Sequence, residues 1–254
     1  MSFSVAGDAY DRFMGRYSRE LAPRLVAFAG LAEGMRALDV GCGSGLLTST
    51  LADRLDAANV AAADPSESLL AACAARVPGA DVRWAPAEEL PWPDGSFDAV
   101  LSQLVLNFVA DADAAVAEMR RVAVPGAILA SCTWDYAGGM RMLHTFWDAA
   151  TELDPAAPAE SSMRYRTEEE LASLWERGGV SDVETGALEV EVGYDSFDEY
   201  WESFTLGVGP AGEYYASLDE DAREALREGC FSRLGSPAGP FSLGARAFAV
   251  RGTR

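Results

Sequence analysis

The chain has 254 residues, 49% hydrophobic and 24% charged, the balance of a globular protein with enough apolar material for one large core. Its 40 acidic and 20 basic residues give a net charge of −20; every basic residue is arginine, and His144 is the single histidine. This inventory excludes lysine Schiff bases, lysine-dependent phosphoryl transfer and multi-histidine zinc sites, and the negative field opposes nucleic-acid backbones.

Tyr10, Phe13, Met14, Tyr17 and Leu21 recur at three- and four-residue steps and predict a helix over 8–30. Residues 36–41 read as a short buried strand, 45–55 as a helix, 59–64 as a second strand and 66–77 as a helix capped by Ser66. A third strand over 81–87 follows. The turn 91–96 then leads into a fourth strand starting at 97, a helix over 111–122 closed by Pro125-Gly126, and a fifth strand over 127–134. This alternation, at steps of roughly 25 residues, is the pattern of a parallel sheet covered by helices on both faces. Beyond it, 167–179 predicts a helix with Thr167 as N-cap, Glu170 as capping-box partner and Gly178 as C-cap. Residues 180–194 read as a strand, 195–240 as two or three helices, and 241–252 as a last strand that completes about seven and runs antiparallel.

Cys42, Cys73, Cys132 and Cys230 are widely spaced with no CxxC, so neither a zinc ribbon nor a disulfide framework is expected, and no metal. The first 16 residues lack the apolar core of a signal peptide, and no run approaches the ~18 apolar residues of a membrane span. A cytoplasmic protein without a membrane partner is expected.

The sharpest signal is Leu38-Asp39-Val40-Gly41-Cys42-Gly43-Ser44-Gly45, between a predicted strand and a predicted helix. Glycines there permit positive φ and close approach of a ligand, and the following helix offers free N–H groups. Asp64 ends the next strand, where a carboxylate accepts hydrogen bonds from ribose hydroxyls. Loop and acid together predict an adenosine-type ligand. The spacing GxGxG differs from the dinucleotide GxGxxG, and Asp39 beside the loop would repel a pyrophosphate but attract an ammonium group. An aminoacyl-type ligand with adenosine fits that demand.

These motifs resemble those of the class I S-adenosylmethionine-dependent methyltransferases. LDVGCGSG is similar to their first motif and AAADPS to their acidic second motif; residues 87–131 are similar to the later strands of the small-molecule branch that includes ubiquinone/menaquinone-type enzymes. The resemblance covers about residues 8–134. It implies an α/β, Rossmann-like, seven-stranded and mostly parallel sheet, with helices on both faces and a helical lid near the C-terminal strands. It also implies one domain over 1–254: a helical cap over 1–35, a cofactor-binding core over 36–134, and lid segments over 135–166 and 195–240.

By the same resemblance S-adenosylmethionine is the cofactor, S-adenosylhomocysteine the product, and a small molecule the acceptor. Gly41, Gly43 and Gly45 line the methionine part, Cys42 stands in the same cofactor loop as a structural residue, Asp39 two residues upstream attracts the ammonium group, and Asp64 holds the ribose. Pro65 and Ser66 lie near the adenine, Ala87 and Glu88 at its edge, and Ser102 and Gln103 under the sulfonium end. Pro86 stands where the family often has an Asp for the adenine amino group. Tyr10, Arg16 and Tyr17 fold over the cofactor, with Arg16 placed for the methionine carboxylate. His144 is the candidate general base, since it alone titrates near neutrality unperturbed. Trp134, His144, Trp147 and Trp201 are candidate substrate contacts. Two other readings stay open. One is an NAD(P)-dependent oxidoreductase, disfavoured by GxGxG, Asp39 and the lack of lysine. The other is a non-catalytic nucleoside binder on the same fold.

Overall fold

The computed structural model describes residues 11–158 and 164–254. Its centre is a seven-stranded sheet in the order β3-β2-β1-β4-β5-β7-β6. The strands are β1 (Ala37–Val40), β2 (Val60–Asp64), β3 (Asp81–Trp84), β4 (Phe97–Gln103), β5 (Ala123–Trp134), β6 (Ser181–Tyr194) and β7 (Phe241–Thr253). All neighbours are parallel except β7, which runs antiparallel to both β5 and β6. The expected α/β sheet with a reversed last strand is therefore what the chain forms.

Sequence explains the layering. β1 and β2 are apolar at nearly every position and buried along their whole length, as central parallel strands with helices on both faces must be. Leu38 and Val40 join one core; Ala37 joins the other. The last eight residues of β6 instead alternate exposed and buried, the pattern of a strand with one wet face. One core is closed by α1 (Arg16–Ala29), α2 (Leu46–Leu55), α5 (Arg141–Leu153) and α7 (Phe197–Thr205). The other is closed by α4 (Ala112–Val122) and α6 (Glu168–Arg177), which inserts the fully buried Trp175. α3 (Glu67–Arg76) links β2 to β3, and α8 (Gly209–Ser217) and α9 (Glu220–Arg233) precede β7.

Several boundaries differ from the sequence expectation. The first helix proper starts at Arg16, after a wider π-type turn over Asp11–Gly15, and residues 1–10 lie outside the described residues. Ser66 does not cap α3 with its side chain; its N–H donates to Asp64 Oδ1 at 2.8 Å, and its hydroxyl pairs with Ser68 at 3.2 Å. Thr167 does cap α6, accepting from the Glu170 N–H at 3.1 Å, but Glu170 reaches back to the Arg166 N–H. At the other end Gly178 stays right-handed, and Gly179 adopts the positive φ of 75° that ends the helix. Pro125-Gly126 lies within β5, at a register irregularity beside Phe97 and Ala99, since the chain turns extended directly after Val122.

The topology sets the site. From β1 the chain moves outward to β2 and β3, then returns to place β4 on the other side of β1. At that reversal the loops leaving the carboxyl ends of β1 and β4 diverge and open a crevice.

Candidate active site

The loop after β1 takes its shape from its glycines. Gly41, Gly43 and Gly45 have φ of 74°, 52° and 86°, left-handed conformations that L side chains adopt at a cost. The Gly41 and Cys42 N–H groups both donate to the Ala63 carbonyl, at 2.8 and 2.9 Å, which pins the loop to the end of β2. A Cβ on Gly43 would meet nothing within 4 Å, so the loop presents open space there. A Cβ on Gly45 would come within 2.8 Å of the Cys73 sulfur, so this glycine is required by packing of α2 against α3.

Asp64 completes the frame. One carboxylate oxygen accepts the Gly43 N–H at 2.9 Å and the other the Ser66 N–H at 2.8 Å. The acid thus ties the glycine loop to the start of α3 while its remaining lone pairs border a cavity. Burial pushes its pKa up, against the opposing pull of those two N–H donors. Asp39 sits behind the loop, 1% exposed. Its Oδ2 accepts from the Thr48 hydroxyl at 2.7 Å, and its buried Oδ1 has no partner among the described residues. Desolvation raises its pKa to about 7.

The cavity has a volume of about 850 Å³, within the range of small-molecule sites. Of the residues expected at the cofactor, Gly41, Gly43, Asp64, Pro65, Ser66, Ala87, Glu88 and Gln103 line it, and so do Pro86 and the substrate candidate Trp134. Glu88 is held by the Ala110 and Asp111 N–H groups, at 3.0 and 3.2 Å to one oxygen. Gln103 is anchored by its amide N–H on the Ser18 carbonyl at 3.0 Å.

Other expected residues lie elsewhere. Tyr10 is outside the described residues. Arg16 pairs with Glu199 at 2.5 Å and lies over the Tyr194 ring, so its charge is taken up by α7 and β6 and it does not line the cavity. Tyr17 is fully buried, shares a hydroxyl hydrogen bond with Tyr194 at 3.1 Å and meets Trp134 edge-on. Cys42 packs with Cys73 and Ala62 beneath the loop; Ser102 is buried, its hydroxyl donating to the Val40 carbonyl at 2.9 Å. Asp39 and Gly45 support the loop from behind.

The general-base candidate also falls outside. His144 is half-buried on α5, and its Nε2–H donates to the Tyr136 carbonyl at 3.0 Å rather than facing the cavity. Trp147 packs against Phe146 and Tyr214, and Trp201 against Phe197, Phe204 and Tyr215; neither lines the cavity. This aromatic cluster is a core beneath the helices.

In their place the fold brings residues that sequence reasoning read as core or left aside. Phe13, Met14, Leu104, Val105, Tyr136, Leu143 and the turn Val208-Gly209-Pro210 complete the wall. Leu104 carries a left-handed φ of 63°, a strained conformation for a branched apolar residue. The Tyr136 hydroxyl accepts from the Asn107 amide at 3.2 Å.

The arrangement is a crevice framed by the glycine loop and Asp64 that is continuous with a largely apolar chamber. The family profile of the methyltransferase domain matches residues 38–131. An uncharacterised protein of Mycobacterium tuberculosis is 32% identical over 225 residues, covering 82% of this chain and 80% of that one. A malonyl-[acyl-carrier protein] O-methyltransferase of Geobacter sulfurreducens is 31% identical over 180 residues, 70% of this chain and 66% of that one. In three dimensions the chain superimposes on a phosphoethanolamine N-methyltransferase of Haemonchus contortus, crystallised with S-adenosylhomocysteine. That match has a TM-score of 0.58 and 18% identity and covers all of this chain and 60% of the other. The chain belongs to the class I S-adenosylmethionine-dependent methyltransferases. The oxidoreductase and non-catalytic readings are thereby set aside, and S-adenosylmethionine is the cofactor.

Proposed function

We propose that this enzyme methylates a small-molecule acceptor held in the apolar part of the 850 Å³ cavity. The observation that carries the reading is continuity: the loop and Asp64 border the same cavity as Phe13, Met14, Trp134 and Leu143. One ligand can therefore sit on the glycine loop while a second meets its reactive end. Bound S-adenosylmethionine supplies an electrophilic methyl group, so the protein's task is chiefly orientation. Alignment at ~3–3.5 Å can remove about 7–11 kcal/mol of barrier.

The residues divide this work. The open face of Gly43 admits the methionine portion, and the free lone pairs of Asp64 accept both ribose hydroxyls. Asp39, with an unpartnered oxygen and a negative charge when ionised, favours the ligand's ammonium group from behind the loop. Ala87 and Glu88 border the adenine in place of the Asp that Pro86 replaces, and Gln103 lies at the sulfonium end.

Titration calorimetry with S-adenosylhomocysteine tests the assignment. Asp64→Ala should weaken binding by ~1–3 kcal/mol through lost charge-assisted hydrogen bonds and a loosened loop. Wild-type affinity in that variant would place the nucleoside elsewhere.

A further inference from the structure

The charge around the cavity is one-sided. Among the described residues it is lined by three carboxylates, Asp64, Glu67 and Glu88, and by no arginine or histidine. Residues 1–10 and 159–163, outside the description, contain no arginine, lysine or histidine in their sequence. Of the nearby arginines, Arg12 pairs with Glu202 and Arg16 with Glu199, while the exposed Arg164 donates to the carbonyl of the wall residue Val109 without itself lining the cavity. The N-terminus of α8 borders the cavity, but it places Pro210, which lacks an N–H, in its first turn. At the acceptor end an anion would lose its hydration with no cationic side chain in the wall to replace it, the cofactor's own sulfonium apart, and a net charge of −20 would repel it on approach. The remaining wall, with Phe13, Trp134 and Tyr136, suits a flat apolar body.

Resting on the function proposed above, we infer that the acceptor is an uncharged, flat and largely apolar molecule with an amine or hydroxyl nucleophile, and that molecules bearing a carboxylate or phosphate are rejected. In the transfer the lone pair of the acceptor's nitrogen or oxygen forms the new bond to the methyl carbon. The breaking carbon–sulfur bond leaves its electron pair on sulfur, and the acceptor's proton passes to water.

The test uses the full chain saturated with S-adenosylhomocysteine, whose own binding is measured first. Failure at that first step would overturn the cofactor site itself; failure only at the second would overturn the acceptor class. Three probes on one quinoline ring, 6-aminoquinoline, 6-hydroxyquinoline and quinoline-6-carboxylate, are then titrated at pH 7.5, and each is offered to the enzyme with methyl-labelled S-adenosylmethionine. The amine and hydroxyl compounds should bind at least tenfold more tightly than the carboxylate, and the carboxylate should take up no label. Placing a cation in the wall, by Leu143→Arg or by the more exposed Gln103→Arg, should bring the carboxylate to equal or better affinity. Equal binding of the carboxylate to the wild type, its methylation, or indifference of all three probes to the cavity would overturn the inference.

Discussion

Two residues beside the crevice show how position changes chemistry. Asp39 reads from sequence as a charge beside the loop, yet it is enclosed, and desolvation raises its pKa to about 7. In an unfolded chain an Asp titrates near ~3.9. Between those values the folded protein holds a proton that the unfolded chain has lost. The stability this group contributes is therefore complete below pH ~4 and lost as the pH rises to about 7. Asp39→Asn removes that slope: urea midpoints measured at pH 5 and pH 7.5 should differ less for the variant than for the wild type. Gly45 is constrained twice, by a φ of 86° and by the sulfur and backbone of Cys73 at 2.8 and 3.0 Å from any added Cβ. Gly45→Ala should cost about 2 kcal/mol or more in denaturant unfolding, from strain and overpacking together. A loss below half a kcal/mol would mean that α3 yields freely.

Among elements, the seam between α1 and α7 stands out. Arg16 joins Glu199 while stacking on Tyr194, Arg12 joins Glu202, and the Tyr17 and Tyr194 hydroxyls meet beneath them. Glu199 also accepts the Asp195 N–H, and Ser196 caps α7 through the Glu199 N–H, so one carboxylate serves both the helix start and the seam. Arg16→Ala should lower stability by ~1–2 kcal/mol, the sum of a half-exposed ion pair and a cation–π contact. It should leave S-adenosylhomocysteine affinity within twofold, because Arg16 does not border the cavity. A tenfold loss of affinity without loss of stability would instead restore Arg16 to the cofactor's carboxylate. The periodicity of this helix was plain in the sequence; its partner was not, since 183 residues separate Arg16 from Glu199.

For the whole molecule the governing quantity is charge. Forty acidic side chains against twenty basic ones leave at least half of the carboxylates without an arginine of their own, so self-repulsion opposes the compact state. Raising sodium chloride from 0.02 to 0.3 M, where the screening length falls below ~10 Å, should raise the thermal midpoint by roughly a few degrees. A fall would show that the ion pairs outweigh the repulsion. No helix among the described residues is long and apolar enough to cross a membrane.

What the sequence by itself determined was local or periodic: the alternation of strands and helices, the GxGxG loop, and Asp64 at a strand end. Each is specified by neighbours within a few residues, by backbone conformations that glycine adopts without strain, or by burial on both faces of a parallel strand. The acceptor side of the cavity was decided by tertiary structure alone. Phe13, Leu104, Tyr136, Leu143 and Val208 come from five separate segments, and each looks in sequence like any core residue. The same packing drew Trp147, Trp201 and His144 away from the cavity, because an aromatic side chain lowers its free energy equally well in a core and in a pocket wall. Which of the two it occupies depends on the crossing of helices that are far apart along the chain.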